Sequence, residues 1–141
     1  METLTITEIF NMFQSQYSQV DKLWNYFGVV SLAVAGFTIG NDKASSSLKE
    51  PFFIIVGYLA FCLGNYHALL EGHTFLYALA EKYNSMTVNG ELPHLQLSTP
   101  AEISRFYCIV VATFSTAVAV VSFSRLKQAR AQTSQEQTPS E

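Results

Sequence analysis

Residues 51–83, PFFIIVGYLAFCLGNYHALLEGHTFLYALAEKY, constrain the fold more than any other stretch of the chain. Their first about twenty positions hold no Asp, Glu, Lys or Arg, and a helix rising about 1.5 Å per residue needs that length to cross a hydrocarbon core about 30 Å thick. The stretch then turns polar over residues 65–73 and continues with an amphipathic pattern. One long helix leaving a bilayer satisfies both halves.

The rest of the chain agrees with that reading. Only 13% of its 141 residues are charged, and the mean hydropathy is +0.20, values that argue against an ordinary soluble domain. The apolar residues cluster in three blocks, at 23–39, 51–70 and 103–123, and the second and third have no polar face of the kind a soluble helix shows. The expected class is an all-α integral membrane protein with three transmembrane helices. They are expected at about 5–40, 51–83 and 99–130, with transmembrane parts at about 23–40, 51–70 and 103–123. Residues 1–131 then form a single domain, followed by a disordered polar tail over 132–141. No basic n-region precedes the first apolar block, so no cleavable signal peptide is expected. Cys62 and Cys108 lie in apolar blocks, where cysteine packs as a small hydrophobe.

Local signals fix the helix starts. Thr5-Ile6-Thr7-Glu8 has capping-box spacing, and Thr99-Pro100-Ala101-Glu102 repeats it with proline at the first helical position. From the first start, Ile6, Ile9, Phe10, Phe13, Tyr17, Val20 and Trp24 recur at three- and four-residue steps, an amphipathic lead-in to the first crossing. Trp24, Tyr26 and Phe27 suit an aromatic belt at the headgroups. Leu69, Leu76, Leu79 and Tyr83 make a matching stripe on the second helix. The two extensions predict a helical hairpin reaching about 15 to 20 Å beyond the bilayer. Residues 41–50 read as a tight polar turn, and Asn89-Gly90 favours a hairpin-type turn within the 84–98 loop, a candidate partner surface.

Within the bilayer, small residues let helix backbones approach closely. Gly36 and Gly40 form a GxxxG. Gly57, Ala60, Gly64 and Ala68 form a longer stripe on the second helix, expected to pack against the first or third. Ala112 and Thr116, with Cys108, Ser115 and Ala119, suggest a similar face on the third.

The chemically notable cluster is Asn65, His67, Glu71 and His73. His67 and Glu71 stand four apart and share a helical face, as a ligand pair, a proton relay or a pH-sensitive contact requires. His73 lies off that face. No Ser-His-Asp pattern, phosphate-binding glycine loop or paired intramembrane carboxylates occur, so neither an enzyme nor a bound cofactor or metal is expected. The expected partners are the lipid bilayer and either a second copy of the chain or another membrane protein. Most acids fall on the hairpin side, which argues against nucleic acid as a partner.

Three crossings place Lys22, Lys82 and Arg105 on the hairpin side and Lys43, Lys49, Arg125, Lys127 and Arg130 on the other. The positive-inside rule then gives a cytoplasmic C-terminus in a plasma (inner) membrane. The simplest function is a non-catalytic accessory or scaffold subunit of a membrane complex, acting through helix assembly. Three crossings, a basic segment after the third and an outward N-terminus resemble the layout of phage holins. That resemblance implies an alternative, a homo-oligomeric pore lined by Ser115, Thr116, Asn65 and His67. A His near the end of the second of three crossings is also similar in layout to the cytochrome b anchor subunits of succinate dehydrogenase. HALLEGH departs from their closely spaced His, Gly, Arg and His, leaving a haem- or metal-binding role through His67 as the remotest alternative.

Overall fold

Thr5 and Glu8 close the expected capping box at the start of the first helix. The Thr5 backbone N–H and hydroxyl both donate to Glu8 Oε2 at 2.8 Å, and the Glu8 N–H donates back to Thr5 Oγ1 at 3.3 Å. These bonds, the backbone one foremost, hold the Glu8 carboxyl below the usual carboxylate range. Thr99 and Glu102 repeat the arrangement, at 2.8 Å from the Thr99 N–H and 3.3 Å to its hydroxyl. Each box satisfies N–H groups that a helix start otherwise leaves unpaired.

The computed structural model describes residues 4–40, 49–87 and 92–136. Three helices hold nearly all of them: α1 at Ile6–Gly40, α2 at Lys49–Met86 and α3 at Pro100–Glu136. All three are long and apolar enough to cross a membrane, and the described residues contain no strand. The protein is an all-α membrane protein of three transmembrane helices, with α1 and α2 extended as a hairpin. Only 11%, 22% and 11% of the most apolar windows of α1, α2 and α3 is buried within the chain, so most of that surface faces outward, as lipid contact requires. Residues 132–136, expected in the disordered tail, are helical, because Gln and Glu favour helix and neither glycine nor proline intervenes. The rest of that tail, residues 41–48 of the turn expected over 41–50, and Asn89-Gly90 lie outside the described residues.

The chain divides into two compact units. The first comprises Met1–Phe27 and Leu63–Cys108. Ile9, Phe13, Val20 and Phe27 of α1 are buried there, as are Leu69, Leu76, Leu79 and Tyr83 of α2. Phe10 meets Tyr83 with ring centroids 5.7 Å apart, and Gln16 donates to the Gly72 carbonyl at 3.1 Å. The pairing runs antiparallel, since the position on α2 falls as that on α1 rises. Gly72 suits this approach: a Cβ there would stand 3.2 Å from both Gln16 Nε2 and Val20 Cγ2, close enough that these side chains would have to shift slightly. At the other end of the unit, all three helices meet around buried Tyr107. Its ring lies 5.0 Å from Phe27, 5.5 Å from Tyr66 and 5.8 Å from Trp24. Tyr66 and Ser104 share a 2.7 Å hydroxyl bond beside it.

The second unit comprises Gly28–Cys62 and Ile109–Glu141. Ser31 and Tyr58 share a hydroxyl bond of 2.9 Å between α1 and α2, and the Tyr58 ring lies 5.0 Å from Phe114 of α3. Arg125 donates to the Thr38 carbonyl at 3.2 Å. That carbonyl belongs to the last turn of α1, where backbone acceptors lack helical partners and the helix dipole favours a cation.

The small-residue stripes are not the seams within the chain. Gly36, Gly40, Gly57, Ala60, Gly64, Ala68, Ala112 and Thr116 are all exposed, and nothing lies within 4 Å of a Cβ built at any of the four glycines. The buried face of α2 instead carries Tyr58, Cys62, Asn65, Leu69, His73, Leu76, Ala80 and Tyr83. These residues step by three and four, the spacing of left-handed helix packing. Larger side chains fill the space between helices, and the small residues are left on the outside.

Candidate functional site

The polar cluster of α2 divides between two faces. His67 and Glu71 share an exposed face, as their spacing predicts. Asn65 points the other way. It is buried, and its amide donates to the Tyr107 hydroxyl at 3.4 Å. The three residues therefore do not converge on one site. A ring around a pore lined by both Asn65 and His67 does not fit these orientations. Thr116 also turns its hydroxyl onto the Ala112 carbonyl of its own helix at 2.8 Å. Ser115 Oγ is buried without a hydrogen-bond partner among the described residues. Among the described residues, no three His, Cys, Asp or Glu side chains are grouped to hold a metal ion.

His73 has a different role from its neighbours. It is 5% exposed, and its Nε2 lies 2.8 Å from the Ser98 carbonyl. A carbonyl only accepts, so Nε2 carries the proton and the tautomer is set by this bond. Ser98 belongs to the segment that returns from α2 to α3. Three turns further along α2, Asn84 holds the same segment with both ends of its amide: Nδ2 donates to the Leu95 carbonyl and Oδ1 accepts from the Leu95 N–H, each at 2.9 Å. This double bond imitates the pairing of a β-strand, with a side chain in place of a neighbouring backbone.

The return segment, residues 92–99, is thus laid along α2 and pinned at two points. Leu95 and Leu97 are half-buried, while Leu92, Pro93, His94, Gln96 and Ser98 stay exposed. Of residues 84–98, expected to be a loop offered to partners, 84–86 end α2 and 92–98 belong to this strap. The roles of Asn84 and His73 are missing from the sequence reading. Asn84 sits where the apolar stripe of α2 ends, a position where a polar residue reads as a helix stop rather than a clamp. No protein-family model matches the chain, and no match was found among curated proteins or solved structures.

Proposed function

We propose that this protein is a non-catalytic accessory or scaffold subunit of a membrane complex, and that the outward face of α2 receives a helix of another membrane protein or of a second copy. One observation carries the reading: Gly57, Ala60, Gly64 and Ala68 run along that face with open space around both glycines. Apolar burial does not drive helices together in lipid. Close backbone approach does, and small residues permit it. His67 and Glu71 are exposed on the same helix, and a polar side chain near the bilayer gains from a partner that bonds it. The excess of basic residues in 41–49 and 125–130 supports a cytoplasmic C-terminus in a plasma membrane.

The test is mass determination of the full chain extracted in mild detergent. A complex larger than one protomer is expected, and Gly57→Leu with Gly64→Leu should dissolve it while leaving the helix content unchanged. A strict monomer with no companion would overturn the proposal. Ion flux into liposomes holding only this chain would support the pore reading in its place, but the inward turn of Asn65 to Tyr107 weighs against that.

A further inference from the structure

Tyr77, Ala80, Glu81 and Asn84 of α2 and residues 94–97 of the strap line an open cavity of about 360 Å3, with Glu81, His94 and Gln96 exposed at its mouth. That volume lies within the range of roughly 300–1,000 Å3 of small-molecule sites. Its walls are preformed, since the Asn84 amide fixes Leu95 and the His73 ring fixes Ser98. Asn84 spends its hydrogen-bonding capacity on the wall. Among the described residues, the Glu81 carboxylate, Tyr77 hydroxyl, Gln96 amide and His94 imidazole that line the cavity have no bonding partner. Tyr77 and Glu81 are one helical turn apart and so lie side by side. Apolar surface comes from Ala80, Leu95 and Leu97.

We infer that this cavity binds a small primary alkylammonium compound. Each lining group that remains unpaired offers an acceptor, and the carboxylate of Glu81 is the lining's one fixed charge. An ammonium brings three N–H donors: one engages Glu81 in a charge-assisted bond, and the others reach the Tyr77 oxygen and the Gln96 carbonyl. The Tyr77 ring adds a face that attracts cations. The alkyl stem lies on Leu95, Leu97 and Ala80. An anion would meet the Glu81 charge, and a purely apolar ligand would bury that carboxylate unpaired, which is costly. A metal ion would find only Glu81 and His94, short of the three or four protein ligands that zinc sites use.

Calorimetric titration of the full chain in uncharged detergent, with n-butylammonium as the probe and butanesulfonate as the control, tests the assignment. Saturable binding of the ammonium and none of the sulfonate is expected. Glu81→Gln should weaken binding by about tenfold or more, the loss of one charge-assisted contact, and Tyr77→Phe should weaken it less. Asp21→Asn removes an exposed carboxylate of α1 outside the cavity and should change nothing. Glu81 is exposed, so its glutamine variant keeps the fold, and an unchanged far-UV circular dichroism spectrum checks this. Absence of saturable ammonium binding, equal losses in Glu81→Gln and Asp21→Asn, or zinc binding tighter than ammonium binding would each overturn the inference.

Discussion

The two units of the chain differ in the balance of what they bury and what they expose. In the first, large apolar residues such as Ile9, Phe13, Leu69 and Leu76 are inside, and Glu8, Asp21, Lys22, Glu71, Glu81 and Lys82 are exposed. In the second, Val29, Leu32, Phe37, Phe52 and Phe53 are exposed, while Ser31, Tyr58, Thr38 and Arg125 bond to one another's helices within it. Water makes apolar burial favourable in the first case. Lipid removes that drive and makes every satisfied polar group within the bundle count in the second. A continuous helix such as α2 therefore changes its packing rule along its length without changing its secondary structure.

Substitutions of matched size would break this contrast most sharply. Leu76→Ala, in the first unit, empties a fully buried position and should cost about 2 to 5 kcal/mol in denaturant titrations followed by circular dichroism. Leu32→Ala removes the same atoms from an exposed site in the second unit and should leave the transition in place. Equal effects would show that the two units share one packing rule. Tyr58→Phe loses the Ser31 bond and should lower stability by about 1 kcal/mol, the scale of interhelical hydrogen bonds in lipid. An unchanged thermal transition in detergent would remove polar bonding as a cohesive element of the second unit.

Thr99→Ala deletes the cap of α3 and is expected to cost about 1 kcal/mol, read as faster amide exchange over the first turn. The glycines offer a smaller comparison. Gly57→Ala, in open space, should raise monomer stability by up to about 1 kcal/mol through helix propensity. Gly72→Ala should gain less or lose, because its new methyl group presses on Gln16 and Val20. A larger gain at Gly72 than at Gly57 would contradict the close approach in the hairpin.

The smallest effect is that of pH on the first capping box. The hydrogen bonds from Thr5, the backbone one foremost, hold the Glu8 carboxyl below the usual carboxylate range. Its folded-state pKa is depressed, so its contribution is present above the unfolded pKa and is lost as pH falls through the folded pKa. Glu8→Gln should flatten this dependence in acid titrations of α1. A dependence that survives the substitution would assign it to another carboxylate.

Legibility in the sequence differed between the same regions. Both capping boxes and the Leu69, Leu76, Leu79 and Tyr83 stripe were readable, because polar and apolar residues alternate there with helical period. His67 and Glu71, four positions apart, are both exposed. Tyr17, assigned to the inner stripe of α1, is 55% exposed: one position in a recurring pattern does not specify which of two adjacent turns makes the contact. Inside the apolar blocks the pattern has no polar face to orient it. The glycine and alanine stripe was therefore assigned inward, while Tyr58, Cys62 and Asn65, spaced for the inner seam, were passed over. The strap contacts of Asn84 and His73 join residues 11 and 25 positions apart, and no periodic signal extends across such a gap.

By itself, the sequence determined the number of helices, two of their starts and the pairing of the extensions of α1 and α2. These follow from hydropathy, capping chemistry and helical period, all of which act over a few turns. Only the tertiary structure decided which side of each apolar helix faces in, that the small residues of α2 face out, and that a two-point clamp shapes an open cavity beside Glu81. Such choices depend on how side-chain volumes from separate helices fill shared space, a quantity that no single stretch of chain contains.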